Sequence, residues 1–264
     1  MKDVFILSGA RTPQATWGRG KRGDGTPGGA LKSVDVFDLG AAAVKGAVER
    51  AGVAPERVEA LVFGSAYHSH PNNCYGSRYV GLRAGLPESS PCYAVNIGCG
   101  TALQAIGTAA QMIRDGEAGL VVAGGAESTT HIGKDVLFPS FNDLSAGAYI
   151  GKTVEDLAVA RGITREQADA WAMRTHDKAR AARARGVFAE EIVALAGATE
   201  DDSILLETVP EYFAKSKAAY GGVVTGANAH GFVDAGAAVL LAGDAAAAKG
   251  RAPLGRFVSW AVAG

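Results

Sequence analysis

The stretch Tyr93-Ala94-Val95-Asn96-Ile97-Gly98-Cys99-Gly100-Thr101-Ala102-Leu103-Gln104-Ala105-Ile106 decides the architecture. Its first five residues read as a buried strand. Gly98-Cys99-Gly100 breaks that strand, and Leu103, Ile106, Ala110 and Ile113 then recur at helical spacing. A strand that feeds a helix through a glycine-flanked turn is the repeating unit of an α/β fold. The junction aims backbone N–H groups and the positive end of a helix at the sulfur, which favours a thiolate, and the two glycines leave room for an incoming carbonyl. A small buried cysteine in a tight turn has the same local pattern, because free cysteine is among the most buried residue types. The stretch by itself leaves both readings open.

Working outward, the apolar run Val4-Phe5-Ile6-Leu7 reads as a strand buried on both faces. Asp35 supplies a cap for a helix whose Leu39, Ala42, Ala43, Ala47 and Val48 share a face until Gly52. Val58 to Gly64 is the next strand, Tyr79 to Ala84 a helix stopped by Gly85 and Pro87, and Gly119 to Ala123 a further strand ending at Gly124-Gly125-Ala126-Glu127-Ser128. Strand and helix in alternation imply a largely parallel sheet. From about residue 127 to 221 the texture changes to charged helix formers, as in residues 155–161 and 164–185, where Ala168, Trp171, Ala172 and His176 are expected on one face of an inserted helical lid. Core texture resumes at 222–225, followed by a polar run at 226–234, with strands expected at 238–242 and 254–262 and a short helix at 244–249.

Composition narrows the function classes. The chain has 264 residues, 48% of them hydrophobic and 20% charged, with 36 glycines gathered at the ends of apolar runs. Its 26 basic and 27 acidic residues leave a net charge of −1, so there is no global footprint for nucleic acid. The longest uncharged stretch, residues 89–113, is interrupted by Pro91, Asn96 and Gln104, which argues against a membrane span. Three cysteines, Cys74, Cys92 and Cys99, are an odd and sparse set that suits a reducing, cytoplasmic compartment. The loop 16–29 resembles a phosphate loop only superficially, since Arg22 follows Gly20-Lys21, and it reads as a flexible basic loop. His68, His70 and Cys74 lack a four-ligand set, so no metal site is expected. His176 reads as a surface or packing histidine, and the arginines of 180–185 as a solvated helix face.

The run Asn96-Ile-Gly-Cys99-Gly-Thr-Ala-Leu103 resembles the nucleophile segment of the thiolase family. So do other stretches, in family order: Val4 to Pro13, Gly28-Gly29-Ala30-Leu31, Gly124 to Ser128, the helices of 164–186 with Glu190 to Val193, and Val224-Thr225-Gly226-Ala227-Asn228-Ala229 with Gly231 and Asp234. The resemblance implies an α/β thiolase-like fold, a mixed and mostly parallel sheet between helices with an inserted lid. In these terms residues 1–126 and 222–264 are the N-terminal core and 127–221 the lid, and the C-terminal half lies outside this chain. It also implies acyl transfer of the Claisen or retro-Claisen type on a 3-ketoacyl-CoA. Cys99 would be the acyl-accepting nucleophile, coenzyme A thioester the substrate, and no cofactor or metal would be needed. The implied partners are acyl-CoA, coenzyme A and further copies of the chain in a homodimer or higher oligomer.

Departures from the family pattern set further expectations. The family's catalytic histidine, its second cysteine and a water-orienting asparagine belong to the second half, and Cys74 and Cys92 lie on the wrong side of the nucleophile to replace that cysteine. The base is therefore expected from a partner chain or from a segment lost by truncation; a non-catalytic scaffold or regulatory subunit is the alternative. The family's His-Met-Gly triplet is matched by Tyr149-Ile150-Gly151, and its pantetheine-contacting serine by His230. Tyr149, Ile150, Asn228 and His230 are the expected substrate-binding residues, with Tyr149 either reshaping an acyl pocket or packing in the lid base.

Overall fold

The computed structural model describes residues 2–244 and 252–263. The chain runs through β1 (Phe5–Arg11), β2 (Ala15–Thr16), α1 (Val36–Arg50), β3 (Ala60–Gly64), α2 (Gly76–Arg83), β4 (Cys92–Tyr93), α3 (Thr101–Asp115) and β5 (Leu120–Ser128). There follow α4 (Lys134–Leu137), β6 (Asn142–Asp143), β7 (Ala148–Tyr149), α5 (Ile150–Ala160), α6 (Arg165–Ala184), α7 (Pro210–Lys215), β8 (Val233–Ala242) and β9 (Gly255–Arg256). The main sheet has the order β4-β3-β5-β8-β1-β9, with β2 paired to β8. β3 is parallel to both β4 and β5, and β8 is inserted antiparallel between β5 and β1. The sheet is thus mixed and, among the described residues, more antiparallel than parallel, not mostly parallel as expected, because β8 returns from the inserted segment between β5 and β1 and pairs antiparallel with both.

Its two faces follow from the period-2 alternation of the strands. Leu61, Phe63, Val122 and Leu240 pack with Leu39, Val44 and Ala47 of α1, whereas Ala60, Val62, Val121 and Leu241 pack with Ala105, Ala109 and Ile113 of α3. Leu61, Leu240 and Leu241 are wholly buried, and side chains of this kind contribute roughly 1.5–3 kcal/mol each. α1 starts where expected: the Asp35 carboxylate accepts the Asp38 N–H at 2.8 Å. It crosses β8 so closely that a Cβ on Gly236 would lie 2.4 Å from the Leu39 carbonyl oxygen.

Several expected strands differ. The strand expected at 93–97 is only the edge pair Cys92–Tyr93, and Tyr93, Ala94, Asn96 and Ile97 are exposed, because among the described residues β4 is the edge of the sheet, with β3 as its one neighbouring strand. β5 continues past the glycines to Ser128. Gly124 belongs in the strand because a side chain there would strike the Ala237 carbonyl 2.2 Å away. Residues 222–225 form no strand; Thr225 is joined to Ala218 by a single bridge and a turn follows at 226–228. β8 instead begins at Val233. Among the described residues near the end of the chain, strand β9 is Gly255–Arg256, paired with β1 and flanked by backbone bonds from Leu254 N–H to the Ile6 carbonyl and from Phe257 N–H to the Val4 carbonyl; Phe257 packs on the α3 cluster, under the Arg114 guanidinium. The helix expected at 244–249 falls outside the described residues apart from Asp244.

Between β5 and β8 the chain makes its helical excursion, with its own small cluster of Ala172, Phe213 and Ala227 flanked by Met173 and Leu205. Thr164 and Gln167 form a reciprocal capping box at the start of α6. The inward face of α6 carries the expected Ala168, Ala172 and His176 together with Asp169 and Met173, whereas Trp171, expected beside them, turns outward and is 64% exposed. That face is partly polar because it serves the loops beside it. Arg165 donates to Asp169 and to the Phe213 and Ser216 carbonyls at 2.6–2.9 Å, and His176 Nδ1 accepts the Leu205 N–H. Burial lowers the His176 pKa. Arg180 donates to the Leu205 carbonyl and Arg183 to that of Asp201, so these arginines anchor residues 201–208 and do not form a merely solvated face. Loop 16–29 is likewise held by backbone bonds, among them Gly23 N–H to Asp202 O at 2.7 Å and Gly29 N–H to Thr16 O at 2.7 Å, and is no loose surface segment.

Candidate active site

Cys99 lies in the turn between β4 and α3, exposed, with Gly98 at φ +62° and Gly100 capping the helix. The turn is built by its neighbours. Asn96 Oδ1 accepts the Gly98 N–H at 2.9 Å, an Asx turn of the kind that favours asparagine just ahead of glycine. Thr101, buried, donates its hydroxyl to the Gly98 carbonyl at 2.6 Å and accepts the Ile97 N–H at 3.1 Å. Asn96 Nδ2 reaches back to the carbonyls of Ser65 and Ala66 at 3.1 and 3.2 Å, tying the turn to the chain leaving β3. The sulfur therefore sits on a fixed turn, although on an open edge and not in the buried junction that the apolar run suggests.

In front of the turn is a cavity of about 400 Å³, lined among others by Cys99, Ala102, Glu127, Phe141, His230 and Phe232. One wall is aromatic. Phe141 packs on Phe232 with centroids 5.7 Å apart, and Phe232 meets Trp17 edge-on at 5.1 Å. Arg11 lines the cavity from β1 and is held by a two-pronged contact to Asp201 at 2.7 and 3.0 Å. Glu127, from the end of β5, accepts the N–H groups of Ala66 and Tyr67 through Oε2 at 2.8 and 3.3 Å. Its Oε1 is buried without a partner, and burial, with Asp234 nearby, pushes its pKa up to about 7.

The expected site residues divide. Cys99 and His230 line one cavity. Tyr149 stands behind its wall, half-buried and edge-on to Phe141 at 6.1 Å, and its pKa is raised by burial. Ile150 opens α5 and is 52% exposed, away from the cavity. Asn228 is turned inward. Its amide donates to Asp169 at 2.8 Å and to the Val223 carbonyl at 2.9 Å, and accepts the Thr225 N–H at 2.8 Å, so that it clamps the return loop, and it does not line the cavity. Glu127, Asn96 and Thr101 received no role from sequence. Asn96 was findable as an asparagine two residues before a glycine; Glu127 carried only the weaker signal of a carboxylate at the end of an apolar strand. Among the described residues no cluster of histidine, cysteine and carboxylate side chains is set to hold a metal, and no helix is long and apolar enough to cross a membrane.

Comparison with known proteins decides what scaffold this cavity belongs to. The sequence profile of the thiolase N-terminal domain matches residues 4–136 and 129–245. The chain belongs to the thiolase family. This thiolase-family chain is 33% identical over 289 residues to an acetyl-CoA acetyltransferase of Rhizobium meliloti and 30% identical over 293 residues to the mitochondrial 3-ketoacyl-CoA thiolase of Homo sapiens. The alignments take in 99% and 100% of this chain and 71% of each relative. Among solved structures, human mitochondrial 3-ketoacyl-CoA thiolase in complex with CoA superposes with a TM-score of 0.83 at 28% identity, covering 91% of this chain and 64% of that one. Acat5 thiolase from Ascaris suum in complex with coenzyme A gives 0.85 at 28% identity, covering 98% and 70%. The α/β thiolase fold expected from the motifs is the fold observed.

Proposed function

We propose that this chain takes an acyl group from a coenzyme A thioester onto Cys99, as the first half of a thiolase-type reaction. The supporting observation is an exposed thiol on a fixed turn at the start of α3, facing a cavity with an apolar, aromatic wall. The sulfur attacks the thioester carbonyl, an S–C bond to Cys99 forms, the bond to the coenzyme A sulfur breaks, and the thiol proton ends on the departing coenzyme A. N–H groups at the start of α3 supply partial positive charge for the oxyanion of the tetrahedral intermediate. Phe141 and Phe232 receive the acyl chain, and His230 faces the pantetheine arm. No cofactor takes part.

The carbon–carbon step requires in addition a base at the substrate α-carbon, a contribution of typically about 10²–10⁴-fold. In this proposal that base belongs to a second thiolase half, carried by a partner chain or by further sequence, and the working assembly is an oligomer. In this proposal it works in a reducing, cytoplasmic compartment, a reading that the three free thiols support. The exposed Cys99 favours this reading over a non-catalytic scaffold. The test is thiolysis of a 3-ketoacyl-CoA by the homogeneous chain and then with any co-purifying protein: acyl uptake without turnover by the chain alone is expected, with turnover restored by the partner. Full turnover by the chain alone contradicts the need for a second half.

A further inference from the structure

Glu127 is unused by the proposal above, yet a continuous set of hydrogen bonds joins it to the reactive turn. Its Oε2 accepts the Ala66 N–H at 2.8 Å; the Ala66 carbonyl accepts Asn96 Nδ2 at 3.2 Å; Asn96 Oδ1 accepts the Gly98 N–H at 2.9 Å. Cys99 is the next residue. β3 and β5 are parallel, with Gly64 beside Gly125, so the end of β5 delivers Glu127 to the chain leaving β3. A buried carboxyl oxygen without a partner costs desolvation that nothing in the fold repays, and Oε1 is such an atom on a residue that lines the Cys99 cavity.

We propose that Glu127 is a positioning residue of the Cys99 site, setting the turn through the Ala66–Asn96 strut and setting, with its second oxygen, the charge of the cavity that the thiol faces. The inference rests on Cys99 being the reacting group. With the carboxyl neutral the cavity admits an anion; once it ionises, near pH 7, it opposes both a thiolate and an incoming negative group. The other titratable or charged groups around it are Asp234 on β8, His131 in the turn after β5, Arg11 on β1 with Asp201 and Glu191 upon it, and His230 and Tyr67 on the cavity wall.

The test compares alkylation of Cys99 by iodoacetate and by iodoacetamide from pH 6 to pH 8.5, read by peptide mapping. Both reagents consume the same thiolate, so the ratio of their rates reports the charge beside the sulfur and cancels the thiol's own titration. A fall in that ratio of roughly threefold to tenfold across neutral pH is expected in the native sequence. Glu127→Gln, which keeps an acceptor for Ala66 and Tyr67, should abolish most of that fall, and His230→Gln should preserve it. A fall that survives in Glu127→Gln, or that disappears in His230→Gln, overturns the proposal, as does a flat ratio in the native chain. If Glu127→Gln does not fold, the native and His230→Gln ratios still decide. Labelling confined to Cys74 or Cys92 removes the nucleophile reading itself, an outcome distinct from labelled Cys99 with a flat ratio.

Discussion

At the residue scale, the polar side chains around the cavity do different work from what their types suggest. Glu127 has a folded-state pKa near 7, above the ordinary 4.5 of an exposed glutamate. The native state therefore binds more protons than the unfolded chain between those values, so its contribution to stability is present below pH 4.5 and is lost as pH rises through 7. At about 1.4 kcal/mol per unit the loss is of order 3 kcal/mol. Asp234, also raised by burial, adds in the same direction. Urea unfolding at pH 5 and pH 8 should show the native chain losing stability relative to Glu127→Gln; an unchanged difference between the two contradicts the assignment. Asn228 is the converse case, a residue placed in the site by resemblance and in a clamp by geometry. Asn228→Ala leaves a backbone N–H and the Asp169 carboxylate short of a partner, and should cost about 1–3 kcal/mol in the same assay without slowing alkylation of Cys99. A slowed Cys99 with unchanged stability would return Asn228 to the site.

At the element scale, legibility tracked how each segment is buried. α1 and β3 are each covered by the core, so their apolar spacing carried their identity and limits to within a few residues. The segment 93–97 has the same apolar content but lies at the sheet edge, where composition says nothing about the number of neighbours. α6 was legible as a helix from its helix formers, yet the outward turn of Trp171 was not, because the seating of the helix is set by carbonyls at 205, 213 and 216 that are remote in sequence. Its only buried residues are Asp169 and Ala172, whereas β5 is buried along most of its length. Local opening of α6 should therefore cost less than opening of β5, and amide hydrogen exchange should be faster in 165–184 than in 120–126. Equal protection in the two would show that α6 and the sheet open as one unit.

At the scale of the whole molecule, family membership was legible because many short motifs occur in order, although no one of them is specific. The cavity was only partly so: Cys99 and His230 are 131 positions apart and Glu127 lies between them, and it is the insertion of β8 between β5 and β1 that gathers their segments at one end of the sheet. Acyl transfer from a coenzyme A thioester to Cys99 is the step on which the proposed function depends. The most direct measurement is intact-mass analysis of the chain incubated with acetyl-CoA or a longer acyl-CoA, followed by peptide mapping and hydroxylamine treatment. The expected result is one hydroxylamine-labile acyl adduct on the peptide containing Cys99, lost in Cys99→Ser and kept in Cys74→Ser and Cys92→Ser; an adduct on Cys74 or Cys92, or none on any thiol, contradicts that step.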